Sequence, residues 1–396
     1  MADAVIIDAV RSPVGRGKQG GALTALHPVS MLAQVLMELV RRTGIDPMLI
    51  DDVIGGCVGQ AFEQSNNVTR NAVLAAGWPE RIPATTIDRQ CGSSQQAAHF
   101  AAQGVMAGAY DLVVACGVES MSAVPLQSRL MGRDPYGPMI RARYPNGLVG
   151  QGISAELIAS RWGLSRRELD EFAVRSHGRA GEAADSGGFD AEITPLTVPA
   201  DGADLVVSAD EGIRRGTSLE RLATLEPAFR SDVYEERFPE ITWSVTAGNS
   251  SQISDGAAAM LIASPAMAKR LGLRARARFR GFAVTGDDPI LMLMGVVPAT
   301  REVLRRTGLG VGDVDLFEVN EAFASVVLAW EKELEADPQR VNVHGGAIAL
   351  GHPLGASGAR LMTTLLHGLE RRGGHYGLQT MCEGGGMANA TILEML

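Results

Sequence analysis

The chain contains one pattern of secondary structure twice, and this repeat restricts its fold more than any other feature. Arg-Arg-Thr-Gly-Ile at 41–45 recurs as Arg-Arg-Thr-Gly-Leu at 305–309, and an apolar run that predicts a strand follows each copy. A predicted strand at 342–344 corresponds to the one that precedes Cys91 in the first part, and a later predicted strand ends at Cys116 in the first part and at Cys382 in the second. We therefore predict two α/β halves of common design. In such a pair, strand ends and helix N-termini from both halves can meet at one crevice.

The segment between the two halves has a different composition. From about residue 119 to 246, Met, Pro, Gly and Arg are scattered between isolated predicted helices. At 396 residues the chain also exceeds what one hydrophobic core usually holds. We predict an N-terminal half at 1–120 that is completed by 247–265, an inserted loop or lid domain at 121–246, and a C-terminal half at 266–396.

Cys91 lies at a predicted junction between a strand and a helix. Residues 85–88 read as a short buried strand, and alanines recur at helical spacing between 97 and 106. We expect Ser93 or Ser94 to cap this helix. A helix N-terminus favours thiolate, the nucleophilic form of cysteine, over thiol. The local pattern leaves open whether Cys91 is a catalytic nucleophile or an inert buried thiol.

Three further segments combine glycine with polar residues beside predicted strands, at 318–324, 344–358 and 381–387. Glycine costs about 0.5–1 kcal/mol of backbone entropy relative to alanine, so a run of three at 384–386 needs a compensating reason. Close approach of a ligand to the backbone is the best candidate. His352 taken alone would more often be structural, but the glycines around it favour a functional role.

The composition of the chain excludes several classes of function. A formal net charge of −9 disfavours nucleic-acid partners but is compatible with a local arginine pocket for a phosphorylated small molecule. Four cysteines without a CxxC pair predict neither a disulfide framework nor a zinc site. No window approaches the ~18 uninterrupted apolar residues of a membrane span, and the N-terminus lacks a targeting pattern. We expect a globular protein of a reducing compartment, by default the cytoplasm.

Several of these segments together resemble the signature sequences of the thiolases, the family of acetyl-CoA acetyltransferases and 3-ketoacyl-CoA thiolases. The resemblance rests on Asp-Arg-Gln-Cys-Gly-Ser-Ser at 88–94, Asn-Glu-Ala-Phe at 320–323, Gly-His-Pro-Leu-Gly-Ala-Ser-Gly at 351–358 and Cys-Glu-Gly-Gly-Gly-Met at 382–387. Asn-Ser-Ser, followed by Asp-Gly-Ala-Ala-Ala, at 249–259 extends the resemblance, which covers essentially the full length. It implies a five-layered αβαβα core of two duplicated halves with an inserted loop domain, assembled as a homodimer or homotetramer.

The resemblance assigns a catalytic role to one residue for each chemical task. Cys91 is the nucleophile that carries the acyl group as a thioester, and His352 takes its proton. Cys382 protonates the departing acetyl-CoA carbanion, or removes a proton from acetyl-CoA in the condensing direction. His352 and a water held by Asn320 form one oxyanion site, and the backbone N–H groups of Cys91 and Gly384 form the other.

The resemblance also implies a site for coenzyme A. In this family coenzyme A and acetyl-CoA are substrates and are not permanently bound cofactors. The residues at the corresponding positions are Arg214, Arg221, Leu225, Ala247 and Ser251. The arginines suit phosphate groups, and the serine suits the pantetheine arm.

The activity expected from the resemblance is reversible thiolytic cleavage of 3-ketoacyl-CoA by coenzyme A, in fatty-acid or related lipid degradation. Short-chain biosynthetic relatives carry a histidine near the substrate where this chain has Gly150 and Gln151, which points away from acetoacetyl-CoA as the preferred substrate. The alternatives are a short-chain acetyl-CoA acetyltransferase that works in the condensing direction, a decarboxylating ketoacyl synthase, and a non-catalytic lipid-binding protein of the same fold.

Overall fold

A computed structural model describes residues 3–126 and 128–396. The strands in these residues are β1 (Val5–Arg11), β2 (Gly15–Arg16), β3 (Asp52–Gly56), β4 (Ala84–Ile87), β5 (Leu112–Ser120), β6 (Leu196–Val198), β7 (Leu205–Val207), β8 (Ser254–Ala263), β9 (Ala277–Gly286), β10 (Leu316–Val319), β11 (Tyr376–Glu383) and β12 (Met387–Met395). The α-helices are α1 (Pro28–Thr43), α2 (Val68–Ala75), α3 (Ser93–Met106), α4 (Gly137–Arg143), α5 (Gln151–Arg161), α6 (Arg166–Asp185), α7 (Leu219–Ala223), α8 (Asp232–Arg237), α9 (Pro265–Arg270), α10 (Val296–Thr307), α11 (Ala324–Leu334), α12 (Ala347–Leu350) and α13 (Leu354–Arg372).

The main sheet contains the same arrangement of strands twice. Its order is β10-β11-β12-β9-β1-β8-β5-β3-β4, with β2 paired to β8. In the first half β5 is parallel to β3 and antiparallel to β8, and in the second half β11 is parallel to β10 and antiparallel to β12. The halves join where β1 pairs with β9, at Val5 with Arg278 and Ile6 with Ala277. The internal repeat found in the sequence is therefore a repeat of structure.

The helices complete the five predicted layers. Helices α3 and α13 pack on each other between the two half-sheets, and α13 contacts strands of both halves. Helices α1 and α2 cover the outer face of the first half-sheet, and α10 covers that of the second. Strand β5 shows the pattern that this requires, because Val114 points to the outer core while Val113 and Ala115 point to the central helices.

Corresponding helices of the two halves end at a glycine, as the repeat in the sequence predicts. Helix α1 ends at Gly44 and α10 ends at Gly308, and both glycines adopt the left-handed conformation, with φ of 66° and 72°. A side chain with a Cβ would be strained in this region, which explains why glycine ends both helices. No helix in the described ranges, 3–126 and 128–396, has the length and apolar character that crossing a membrane requires.

One predicted strand of the second half is wrong. Residues 342–344 were expected to match β4, but this part of the described chain contains only isolated bridges, such as that between Phe317 and Val341. Asn342 interrupts the strand because it takes a left-handed φ of 47°. Its side chain accepts from the Val319 N–H at 2.8 Å and donates to the Val319 carbonyl at 2.8 Å, so it replaces the missing backbone pairing.

The segment between the halves contains α4 to α8 and a small hairpin of β6 and β7 that the sequence did not predict. Helix α6 begins with a capping box in which the side chains of Ser165 and Glu168 each bond the other residue's backbone. Helices α5 and α6 pack against α11. The segment thus packs on the second half, against the helix that follows β10 and its loop. The domain limits at 120 and 246 stay a prediction.

Candidate active site

Cys91 lies in a tight turn between β4 and the central helix α3. Gln90, just before it, has a left-handed φ of 48°, and Gly92 occupies the N-cap position of the helix. The expected serine cap is wrong, since no side chain caps this helix in the described chain. The Ser93 hydroxyl bonds back to Arg89 and Gln90 instead. Cys91 is 3% exposed and sits at the N-terminus of α3, as predicted.

The Ser94 hydroxyl, the other expected cap, connects the two central helices instead. It accepts a hydrogen bond from the backbone N–H of Ala359 in α13 at 2.8 Å. Glycines on the neighbouring strands allow this close packing. A Cβ on Gly56 would overlap the backbone of Ser94, and a Cβ on Gly117 would overlap the carbonyl of Gly355. The N-termini of α3 and α13 therefore meet above adjacent strands β3 and β5.

His352 lies just before α13, and its ring has a defined pair of contacts. Its Nδ1 lies 2.6 Å from the Ser357 hydroxyl oxygen, and that hydroxyl donates to the Pro353 carbonyl at 2.8 Å. Nδ1 must therefore carry the hydrogen, which leaves a lone pair on Nε2. Nε2 faces the side-chain nitrogen of Asn320 at 3.3 Å. Burial, together with the Arg360 cation, lowers the pKa of His352 to about 3, so the ring is neutral near pH 7.

The loop that carries Asn320 is held against the segment after residue 248. The His352 N–H donates to the Gln252 carbonyl at 3.1 Å, and the Ser251 N–H donates to the Ala322 carbonyl at 2.9 Å. Within the described chain, the side-chain oxygen of Asn320 is buried and has no hydrogen-bond partner. A buried amide oxygen of this kind is normally satisfied by an ordered water, so Asn320 is suited to the water-holding role predicted for it.

Cys382 and Gly384 reach the same site from the end of β11. Cys382 is 1% exposed, and burial followed by the charge of a Cys91 thiolate raises its pKa. The thiol of Cys382 therefore keeps its proton near neutral pH. Gly384 lies next to two amide side chains, because a Cβ on it would lie 3.1 Å from Gln90 Oε1 and 3.4 Å from Gln151 Nε2.

Cys116, the counterpart of Cys382 in the first half, has different surroundings. It lies within β5 opposite Gly55 and Ala259 and is fully buried in the outer core with α1. Burial alone raises the pKa of Cys116. The repeat thus places a thiol in corresponding strands, but only that of Cys382 lies beside Cys91.

The residues predicted to bind coenzyme A are all at least partly accessible to solvent. Arg214, Arg221, Leu225 and Ala247 are exposed, and Ser251 is half-buried. The isobutyl group of Leu225 packs on Gly248, since a Cβ there would lie 2.7 Å from Leu225 Cδ1. The segment after residue 214 therefore runs beside the segment that supports the Asn320 loop. The role of these five residues stays a prediction.

Two functional neighbours were missed by sequence reasoning. Ser357 fixes the tautomer of His352, and its position five residues later, in the first turn of α13, was the available signal. Glu119 is a buried acid that follows the apolar residues 112–118 of β5, which was also a readable signal. Its carboxylate accepts from the N–H groups of Val58, Gly59 and Gly355 at 2.8–2.9 Å, so it ties β5 and the loop after β3 to the start of α13.

Comparison with known proteins agrees with this geometry over the whole chain. Residues 4–266 match the family model for the thiolase N-terminal domain, and residues 273–395 match that for the thiolase C-terminal domain. A crystal structure of an acetyl-CoA acetyltransferase from Bacillus anthracis superposes with a TM-score of 0.90 at 40% identity, covering 100% of this chain and 99% of the other.

Curated relatives show similar coverage. A steroid 3-ketoacyl-CoA thiolase, FadA6, from Mycobacterium tuberculosis is 48% identical, covering 100% of this chain and 95% of the relative. A 3-ketoacyl-CoA thiolase from Klebsiella pneumoniae is 44% identical, covering 100% of both chains. With two matched family models, a duplicated sheet and a paired-cysteine site, the chain is an acyltransferase of the thiolase family.

Proposed function

We propose that this chain cleaves 3-ketoacyl-CoA with coenzyme A, through an acyl thioester on Cys91, in the degradation of fatty acids or related lipids. The observation that carries this proposal is the convergence of three buried groups. Cys91 and His352 precede α3 and α13, whose N-termini are in contact, and Cys382, at the end of β11, lies close enough for a Cys91 thiolate to raise its pKa. His352 is neutral and Cys382 holds its proton near neutral pH, and these two states suit the proton transfers of thiolysis.

The first half-reaction forms the thioester. Cys91 sulfur attacks the C3 ketone of the substrate, and its proton passes to the lone pair of His352 Nε2. His352 then carries a hydrogen on Nε2 that can donate to the new alkoxide, together with a water held by Asn320. When the C2–C3 bond breaks, the Cys382 thiol gives its proton to the acetyl-CoA carbanion. Acetyl-CoA leaves, and Cys382 remains as a thiolate.

The second half-reaction reverses these proton transfers. The Cys382 thiolate takes the proton from the thiol of incoming coenzyme A, and the resulting sulfur anion attacks the carbonyl of the acyl thioester. The backbone N–H groups of Cys91 and Gly384 stabilise the oxyanion formed at this step. Cys91 leaves as a thiolate and recovers its proton from His352. The shortened acyl-CoA dissociates, and the enzyme returns to its starting state.

Coenzyme A binding falls to Arg214, Arg221, Leu225, Ala247 and Ser251 in this proposal. Exposed guanidinium groups can bind the phosphates bidentately, and Leu225 offers an apolar surface to the adenine or pantetheine. Coenzyme A acts as a substrate, and the reaction requires no permanently bound cofactor. We place the enzyme in the cytoplasm as a homodimer or homotetramer, as implied by its cysteine content and its family.

A second candidate function is short-chain acetyl-CoA acetylation in the condensing direction, which the name of the superposed Bacillus anthracis structure favours. The same catalytic groups serve both directions. The two candidates therefore differ in the preferred acyl group, which depends on residues around Gln151 and is taken up in the Discussion.

The proposed chemistry is tested by intact mass spectrometry after incubation with 3-ketoacyl-CoA. We expect an acyl adduct on the wild type that disappears when coenzyme A is added. Cys91→Ala should show no adduct, while Cys382→Ala should impair release of acetyl-CoA and the return of Cys91 by coenzyme A. Cys116→Ala is the matched control, since its thiol lies in the outer core, and should turn over like the wild type.

An adduct that persists in Cys91→Ala would remove Cys91 from the role of nucleophile. Equal defects in Cys116→Ala and Cys382→Ala would remove the distinction between the two repeated cysteines. Absence of both adduct and thiolysis in the folded wild type would exclude the catalytic proposal and favour a binding protein of the same fold.

A further inference from the structure

Glu383 is a fully buried acid next to the active site that the reaction scheme leaves unused. It follows Cys382 in β11, so its side chain points to the opposite face of the sheet, toward α3. There it lies directly against Gly92, because a Cβ on Gly92 would overlap the Glu383 carboxyl group. Glu383 thus packs against the turn that carries Cys91 and supports it.

The carboxyl group of Glu383 has an unusual lack of hydrogen bonds. Neither of its oxygens has a partner among the described residues, and the same is true of Asn389 Oδ1 and Arg89 Nε nearby. The Asn389 side-chain nitrogen donates to the Gly92 carbonyl at 3.1 Å, so this group of polar atoms lies next to the turn that carries Cys91. A buried carboxylate without donors is far more costly than a neutral carboxylic acid.

The charges that face Glu383 do not offset this cost. Burial raises its pKa to about 8, the Arg89 cation opposes the shift, and the Asp88 carboxylate adds to it. From α3, His99 is neutral because burial lowers its pKa to about 3, and it bonds the Thr391 hydroxyl. Asn389, from β12, is uncharged.

The two active-site thiols are also titratable neighbours of Glu383. Cys382 precedes Glu383 in the chain, and an ionised Glu383 raises the pKa of Cys382 beyond what burial and Cys91 already cause. Cys91 precedes Gly92, against which Glu383 packs. A charge on Glu383 therefore opposes the thiolate states through which thiolysis passes.

We propose that Glu383 is a positioning residue that supports the Cys91 turn as a neutral carboxylic acid and, when it ionises, suppresses the reactivity of the active-site thiols. This inference rests on the proposed function, since it concerns the same two cysteines. Ionisation of Glu383 then sets the alkaline limit of activity, because the enzyme is active only while Glu383 is protonated.

The test compares pH profiles of thiolysis for the wild type and Glu383→Gln, which is neutral at every pH and nearly equal in size. Wild-type kcat should fall as pH rises through about 8. About one unit higher it should retain roughly a tenth of its plateau, because only the protonated tenth of the enzyme is active. Glu383→Gln should lose this inflection, and Glu383→Asp should restore one. Ionisation of coenzyme A affects all variants alike.

A second readout needs no substrate. Alkylation of Cys382 by iodoacetamide, followed by peptide mass spectrometry, should begin at lower pH in Glu383→Gln than in the wild type. Glu331→Gln is the matched control: it removes a buried acid in α11, whose pKa burial also raises, but should leave both profiles as in the wild type. If Glu383→Gln does not fold, Glu383→Ile provides the same neutral state in a strand-compatible side chain.

An active wild type whose alkaline inflection and Cys382 alkylation profile are unchanged in Glu383→Gln would overturn this inference and leave the thiolase chemistry intact. Equal shifts of both profiles in Glu331→Gln would overturn it as well. A folded wild type that gives neither acyl adduct nor thiolysis at any pH would instead count against the proposed function.

Discussion

Gln151 is the residue whose surroundings bear most directly on the choice of substrate. It begins α5, and its amide lies beside Gly384, as does that of Gln90. The preceding Gly150 faces open space, since a Cβ on it would have no atom within 4 Å. Short-chain members of the family carry a histidine at this position, and we infer that its absence gives the acyl group on Cys91 more room.

We therefore predict that kcat/KM rises from the four-carbon 3-ketoacyl-CoA to longer or bulkier ones. Each methylene buried contributes roughly 0.8 kcal/mol, which is about a fourfold gain in kcat/KM. Gln151→His should reduce this gain by filling the space, measured as thiolysis rates over a panel of substrates. Gln339→His, on an exposed turn, is the control. Acetoacetyl-CoA as the best wild-type substrate, or an unchanged ranking in Gln151→His, would contradict the prediction and favour the short-chain function.

At the scale of elements, the site depends on the close packing of α3 and α13 on β3 and β5. Gly56 and Gly117 are paired residues on these two strands, and both lie under the first turns of the helices. Backbone atoms of Ser94 and Gly355 occupy the space that a Cβ would need, and backbone cannot move aside as a flexible side chain can. Two small residues thus determine how near the two helix N-termini come.

Gly117→Ala should consequently separate the helix starts and lower both stability and rate. Overpacking of a tight core typically costs about 1–3 kcal/mol, and misplacement of the nucleophile relative to His352 should reduce kcat by about 10²-fold. Thermal unfolding and steady-state kinetics measure the two effects. Gly178→Ala in α6 is the control. A Cβ there meets nothing within 4 Å, so the free energy of unfolding should rise by about 0.5–1 kcal/mol. An unchanged kcat in Gly117→Ala would show that the spacing does not matter.

The sequence predicts most elements of the repeated halves because their signals are local. Apolar runs and a terminal glycine each act within a few residues. The strand expected at 342–344 fails because Asn342 bonds the backbone of β10 and Glu321, a contact that depends on tertiary structure. The serine cap fails for the same reason, since Ser94 bonds α13. At the site, residue types and motifs were readable, but the tautomer of His352 and the isolation of Glu383 require the packed structure.

At the scale of the whole molecule, buried ionisable groups lower the stability of the fold both at high pH and at low pH. Burial raises the pKa of Glu318 and Glu383 to about 8 from 4.5. Burial lowers the pKa of His99 and His352 to about 3 and that of His177 to about 4, from 6.5. In the folded state the acids hold protons that the unfolded chain releases, and the histidines lack protons that the unfolded chain binds.

The signs of these shifts predict a stability maximum between pH 4.5 and 6.5. The acids contribute stability that is fully present below 4.5 and lost as pH rises toward about 8. The histidines contribute stability that is present above 6.5 and lost as pH falls toward about 3. Melting temperatures measured across this range by circular dichroism should therefore peak at mildly acidic pH. A maximum at or above pH 8 would contradict the assignment of these groups as buried in their neutral forms.

The position of β1 in the sheet has a consequence for synthesis on the ribosome. Val5 pairs with Ala263 on one side and Arg278 on the other, so the first strand lies between two strands that are made much later. At translation rates of about 5–20 residues per second, these partners emerge roughly 13–50 s after the N-terminus. During that interval residues 5–11 have unpaired backbone N–H and C=O groups on both edges, which makes the nascent chain prone to aggregation. Because of this strand order, the sheet that carries the active site cannot be completed until more than half of the chain has been made.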